Sequence, residues 1–318
     1  MKNRTLMAFL TIVLSAALIC AFGSFVMAEE TETDTIEYDL GTEGIIDFPE
    51  YPESYKEESE HPGTVTKVTY DNGIGEKFFN VYLPYGYEDN TDTYNVLYIV
   101  HGGGGNPTNF LKTDKATAVQ KVIDHMFEDG VCDPFIMVAV SWSPTNSEEE
   151  RASIDMDQDY LTLFAQDELS RCIVPYVDAN YRTNADRDHR AFSGFSAGGV
   201  TTWYVLMYDL KDFATVIPLS GDCWAVEQTG GKTKPEETAQ ALADAIAAQG
   251  MTADDFRIFA ATGSVDMALD NMAPQIIAMQ DNDIFKFGEN TFFGVMEGIN
   301  HGDPNSRYYL YTIMPMVW

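Results

Sequence analysis

From Gly63 onward, short apolar runs alternate with stretches in which apolar residues recur every three or four positions. Val96–Val100 and Phe135–Val140 are apolar throughout, which predicts strands buried on both faces. Thr64–Tyr70 and Lys77–Leu83 flank Asp71-Asn72-Gly73 and predict an antiparallel pair. Further strands are predicted over Arg190–Ser193, Phe213–Leu219, Arg257–Ala261 and Thr291–Met296. Helical spacing covers Leu161–Val177, with Pro175 a kink or break near its end. It returns over Val200–Tyr208, Pro235–Gln249 (closed by Gly250), Pro274–Met279 and Asn305–Met314, and His125 falls in another helical stretch. Strands alternating with helices imply a mostly parallel central sheet with helices on both faces. Ligands of such sheets bind beyond the carboxyl ends of the strands. Chemistry is therefore sought in the loops that follow strands.

The first 62 residues follow a different pattern. Lys2 and Arg4 precede an apolar run from Leu6 to Ala21, and Val26-Met27-Ala28 offers small residues at cleavage spacing. That is the form of an export signal over residues 1–28, removed after Ala28. Ile19 before Cys20 is too bulky for the usual lipidation signal. Residues 29–61 are dense in Glu, Asp, Thr and Pro, the composition of an acidic linker or surface arm. Within it, Ile45-Ile46, Phe48, Tyr51 and Tyr55 are apolar enough to lie on the domain surface. Residues 62–318 then form one α/β domain.

Charge narrows the partners. The 318 residues hold 19 Lys and Arg against 50 Asp and Glu, a net −31, and loss of Lys2 and Arg4 with the signal would take this to −33. Phosphate binding needs a basic face, so nucleic acid is excluded as a partner. Anionic membranes are disfavoured, and no stable membrane insertion is expected after signal removal. Export leaves Cys132, Cys172 and Cys223, an odd number with no C-x-x-C pair. They are expected to be small core residues, not a metal or redox site.

Gly194-Phe195-Ser196-Ala197-Gly198 fits the G-x-S-x-G elbow, in which a strand ends, one strained serine presents its hydroxyl and a helix begins. Ser193 lies inside the strand with no elbow around it. A serine alcohol needs a base, and the base needs an orienting carboxylate. Of five histidines only His301 follows Ser196, in Gly298-Ile299-Asn300-His301-Gly302 after the last predicted strand. Asp266, just past the strand Arg257–Ala261, is the preferred acid, and Asp222, after the previous strand, is its rival. Asp270 and Asp303 are poorly spaced for the role. Val100-His101-Gly102-Gly103-Gly104-Gly105 follows a buried strand and can turn backbone N–H groups inward. The N–H groups of Gly103 and Ala197 are the expected oxyanion donors. His101 is expected to hold the glycine loop. Trp142 and Trp224 each follow a strand end and are candidate substrate-stacking rings, whereas Trp203 on the elbow helix reads as core. No metal or organic cofactor is required by this set.

Four segments, "VYLPYGYEDNTDTYNVLYIVHGGGGN", "DANYRTNADRDHRAFSGFSAGG", "ATGSVD" and "GINHGD", together with "HPGTVTKVTY", resemble the secreted esterases of carbohydrate esterase family one, the feruloyl and acetyl-xylan esterases. The resemblance covers the chain from about Pro62 to its end. It implies an α/β-hydrolase fold without a large lid and a Ser196–His301–Asp266 triad. It also implies an acylated plant polysaccharide or oligosaccharide as substrate. Ala197 stands where members often carry Met, and the histidine loop lacks a following Trp, with Tyr308, Tyr309 and Tyr311 there instead. Both departures touch the acyl pocket. Relatives acting on siderophores or thioesters, and a non-catalytic carbohydrate-binding module, are the alternatives. An imidazole that must be neutral to act as base predicts loss of activity in acid.

Overall fold

The computed structural model describes residues 38–145 and 158–318. The export signal predicted over residues 1–28 lies outside them. Among the described residues, no helix is long and apolar enough to cross a membrane.

One sheet organises the chain. Its strands are β1 (Thr64–Asp71), β2 (Glu76–Leu83), β3 (Val96–Val100), β4 (Ile136–Val140), β5 (Arg190–Phe195), β6 (Thr215–Leu219), β7 (Arg257–Gly263) and β8 (Thr291–Met296). They lie in the order β1-β2-β4-β3-β5-β6-β7-β8. β2 is antiparallel to both its neighbours, and the six strands from β4 to β8 in that order are parallel. β3, β4 and β6 are buried at every position, as apolar runs covered on both faces must be. β1 is an edge strand and is mostly exposed.

The helices are α1 (Ala118–Glu128), α2 (Gln158–Leu163), α3 (Val174–Asn180), α4 (Ala197–Tyr208), α5 (Gly230–Thr233), α6 (Pro235–Ala248), α7 (Leu269–Gln280) and α8 (Ser306–Val317). Two apolar clusters lie on opposite faces of the sheet. One joins α4, α6 and α7 to Val96, Tyr98 and Val138, and the other joins α1 and α8 to Leu97, Ile99 and Met137. The alternation of Leu97, Tyr98 and Ile99 between clusters is the period of two that a central strand imposes.

Several elements differ from the expectation at their ends, and three of the differences have a local cause. The stretch predicted as one helix over Leu161–Val177 is α2 and α3 joined by a π-helical segment, Phe164–Ile173. Pro175 does not break it: the backbone is helical on both sides of the ring, with the widened π-helical turn directly before it. α7 begins at Leu269, five residues before the predicted start, and carries Pro274 inside it. The Asp266 loop nucleates that earlier start: Ala268 N–H donates to Asp266 Oδ1 at 2.8 Å and Leu269 N–H to Asp266 O at 3.0 Å. The strand before the serine runs two residues further, to Phe195, because its pairing with β6 continues to Leu219.

The described part of the acidic arm packs on the domain. Ile45 bridges to Phe293 beside β8. Tyr51 stacks on Tyr308 with centroids 5.1 Å apart and accepts from Arg307 Nε at 2.7 Å. Tyr55 stacks on His125 at 4.7 Å and donates to Asp129 Oδ2 at 2.6 Å. These apolar anchors hold down a segment whose composition alone reads as unstructured.

The sheet brings two distant loops together. β3 sits between β4 and β5, so the chain leaves β3 toward one side and returns to the other. That is a switch point, where a crevice opens at the strand ends. The loops after β3 and β5 face each other there. A β-carbon on Gly102 would lie 3.2 Å from Ser196 Cβ.

Candidate active site

Ser196 links β5 directly to α4 in a left-handed conformation, φ 57° and ψ −118°, that few side-chain-bearing residues adopt. The surrounding chain leaves no alternative. Ser196 N–H donates to Leu219 O at 2.9 Å, and its C=O accepts from Val200 N–H at 3.0 Å. A β-carbon on Gly194 would meet Gly198 O at 2.3 Å, and one on Gly198 would meet Val100 O at 2.3 Å. Glycine is required at both positions because the obstacles are backbone. Gly198→Ala is expected to cost about 4 kcal/mol or more, or to prevent folding, read as the shift in denaturant midpoint.

The serine hydroxyl, imidazole and carboxylate form one line. His301 Nε2 lies 2.9 Å from Ser196 Oγ, and His301 Nδ1 lies 2.7 Å from Asp266 Oδ1. Asp266 is buried, and the imidazole is a quarter exposed. Asp266 Oδ1 also accepts from Ala268 N–H, while Oδ2 has no hydrogen-bond partner among the described residues. The carboxylate charge is thus directed at the imidazole. The Phe195 ring, 4.7 Å from the imidazole centroid, packs against His301. With Nδ1–H given to the carboxylate, Nε2 is left to accept from the serine hydroxyl, the arrangement that makes an alcohol a nucleophile.

Asp222 is elsewhere. It accepts from Trp224 Nε1 at 3.0 Å and from Gly231 N–H at 2.9 Å, and burial pushes its pKa upward. It serves the loop after β6, not the imidazole. Ser193 donates to Ile217 O at 2.9 Å within the sheet. Trp142 and Trp224 do sit in loops after strands, but both are nearly buried. The Trp142 indole donates to His101 O at 3.1 Å, so its polar edge holds the glycine loop.

That loop is tied from two sides. His101 Nδ1 lies 2.7 Å from Gly102 O and Nε2 lies 2.8 Å from Ser141 Oγ. A carbonyl can only accept, so Nδ1 carries the proton and Nε2 accepts from the serine. Lys77, fully buried, donates to Ser141 O at 2.9 Å and pairs with Glu168 at 2.6 Å from the π-helical segment. From the other side Asp303 accepts from Gly102 N–H at 3.0 Å and from Asn109 Nδ2 at 2.7 Å. Sequence reasoning considered Asp303 only as a triad acid and missed this role, for which adjacency to His301 is the reason and not the objection. Gly102 N–H is thus committed to Asp303, and Gly105 N–H to Gly102 O. Gly103 lies exposed at the turn with no acceptor for its N–H among the described residues, and Ala197 is the first residue of α4, whose leading N–H groups have no intrahelical partner.

No cluster of His, Cys, Asp and Glu able to hold a metal exists among the described residues. Cys132 and Cys223 are free, and burial pushes each thiol up to about 12. Cys172 is also free.

Comparison with known proteins agrees with this geometry. A family model described as "Putative esterase" matches residues 75–287. Endo-1,4-beta-xylanase Y of Acetivibrio thermocellus is 33% identical over 288 residues, 86% of this chain and 25% of that protein. An endo-1,4-beta-xylanase/feruloyl esterase of Xylanibacter ruminicola is 30% identical over 185 residues, 55% of this chain and 24% of that protein. The chain thus spans about a quarter of the length of these curated relatives. Among solved structures, a serine-to-alanine mutant of the feruloyl esterase module from Clostridium thermocellum, complexed with sinapinate, superposes with a TM-score of 0.73 at 33% identity. The match covers 88% of this chain and 95% of that one. The resemblance read from the motifs therefore holds, and the chain belongs to the esterase family as a carboxylic ester hydrolase of the α/β-hydrolase fold.

Proposed function

We propose that the chain removes ester-linked acyl groups, feruloyl or acetyl, from plant cell-wall polysaccharide such as xylan, outside the cell. The observation that carries this reading is the unbroken line Ser196 Oγ–His301 Nε2–Nδ1–Asp266 Oδ1, at 2.9 and 2.7 Å. The substrate class is supported by the xylanase and feruloyl esterase relatives. The sinapinate complex of a similar module favours a hydroxycinnamoyl group over acetyl.

Ser196 Oγ attacks the ester carbonyl while His301 Nε2 takes its proton. The carbonyl oxygen gains negative charge and rests on the N–H groups of Gly103 and Ala197. One such donor contributes about 3 kcal/mol to lowering the barrier. The tetrahedral centre collapses as His301, now imidazolium and held by Asp266, protonates the departing sugar oxygen, which leaves as the alcohol. Water then attacks the acyl carbonyl as His301 takes its proton, and His301 returns that proton to Ser196 Oγ as the acid leaves. Every proton moves through one imidazole, and Asp266 stays ionised throughout.

Trp142 and Trp224 are the candidate stacking rings; both are nearly buried, so any contact with a hydroxycinnamoyl ring would be made by the edges left open. Steady-state rates on methyl ferulate and on acetylated xylan test the reading. Methyl ferulate is expected to be turned over with the higher kcat/KM. Inertness toward both esters, with no labelling of Ser196 by an organophosphonate, would favour a non-catalytic carbohydrate-binding module.

A further inference from the structure

Among the described residues, six lysines have a carboxylate partner: Lys56, Lys77, Lys211, Lys232, Lys234 and Lys286. The other four, Lys67, Lys112, Lys115 and Lys121, make no ion pair, and all four line one surface. In a chain with 50 acidic and 19 basic residues, a lysine without a carboxylate is the exception. Four of them on a single face need a reason.

The surface is concave. Three clefts, of about 280, 370 and 440 Å³, adjoin one another along residues 108–121. The smallest is walled by Tyr51, Tyr55, Lys56, Lys121 and Arg307. The middle one holds Lys67, Phe78, Asn80, Thr108 and Lys112. The largest shares Lys112 with the middle cleft and Ala116 with the smallest, and it contains Lys115. Its acidic residues are Glu58, Asp114 and Asp124, of which Asp124 is buried and accepts from Tyr82 OH and Gly63 N–H. Lys67 Nζ stands 4.1 Å over the half-buried Phe78 ring.

A relay of contacts links the clefts to the candidate catalytic centre. Thr108 precedes Asn109, whose amide donates to Asp303 Oδ2, and Asp303 also accepts from Gly102 N–H beside Ser196. Arg307 lies about one helical turn beyond Asp303. A chain held at Ser196 by one ester could therefore continue into these clefts.

We propose that the clefts bind a uronate-bearing stretch of the polysaccharide whose ester is cleaved, a reading that rests on the function proposed above. Phe78 offers a partly open ring to a sugar, Thr108 Oγ1, which donates to Asn106 Oδ1, can accept from a hydroxyl, and the four lysines without an ion pair offer cations to carboxylates spaced along a polymer. A neutral polysaccharide has no use for the lysines. A polyphosphate, charged at every residue, would meet more repulsion from a chain at −31 than a polysaccharide that carries a uronate only at intervals.

The test is binding by the full-length Ser196→Ala chain at low salt to two soluble polymers, glucuronoxylan and neutral arabinoxylan, followed by affinity electrophoresis. Glucuronoxylan is expected to bind about tenfold more tightly, since exposed ion pairs each contribute little. Raising the salt should erase the difference. Combining Lys67→Gln, Lys112→Gln, Lys115→Gln and Lys121→Gln should abolish it as well. In the otherwise wild-type chain the same four changes should leave methyl ferulate hydrolysis within about twofold, which shows that the fold is intact. Equal binding of the two polymers, or a preference that survives the four substitutions, overturns the proposal. So does a low-salt dimer that the substitutions dissociate, because the surface would then serve the acidic face of a second copy. Failure of the wild-type chain to hydrolyse any ester would refute the esterase mechanism and not the uronate site, whose readout is binding by the inert variant.

Discussion

Replacing Ser196 by alanine is expected to lower kcat on methyl ferulate by about ten-thousand-fold or more. The reason is local. Among the described residues the hydroxyl is the group hydrogen-bonded to His301 Nε2, at 2.9 Å, and the neighbouring Ser193 is committed to Ile217 O. Stability should barely change. The bonds that fix the corner, to Leu219 O and from Val200 N–H, are backbone bonds and survive the substitution. The left-handed φ of 57° is strained for alanine as for serine, so no relief is gained. Paired measurements of steady-state rate and melting temperature check this. More than about one per cent of the wild-type kcat in a purified variant would remove Ser196 from the mechanism.

The second large effect separates two buried carboxylates of similar placement in the sequence. Asp266→Asn is expected to reduce kcat by about ten-thousand-fold, because the amide carries no charge and can turn its NH2 to Nδ1, which holds the imidazole in the wrong tautomer. Asp222→Asn should leave kcat within a few-fold. Its cost falls on folding, about 1–3 kcal/mol, since Trp224 Nε1 and Gly231 N–H rely on its two oxygens. Rates and denaturant midpoints for both variants decide the matter. A collapse of kcat in Asp222→Asn with Asp266→Asn still active would reverse the assignment.

Much of this arrangement was legible because it depends on local signals. The apolar runs of β3 and β4 and the glycines around Ser196 follow from burial and backbone crowding, which a sequence displays directly. The position of His301 after the last strand followed from chain order. What stayed hidden depends on groups far apart in the chain. The clasp of Asp303 on Gly102 spans 201 positions, and its aspartate looks like any loop acid until β3 and the histidine loop are neighbours. The π-helical widening at Phe164–Ile173 is equally non-local, since it presents Glu168 to Lys77 from a different element. Trp142 and Trp224 show the converse error of scale. Placement at a strand end was readable, but burial was not, and it is burial that engages their indole N–H groups with His101 O and Asp222.

The packing of residues 45–55 bears on how this enzyme can be cut and transplanted. Tyr51 and Tyr55 cover rings on α8 and α1, and α8 begins three residues after Asp303, which steadies the glycine loop. An excised fragment that starts at Pro62 would strip that cover and loosen the helix beside the Asp303–Gly102 clasp. A portable version grafted onto another protein should carry its upstream strap with it.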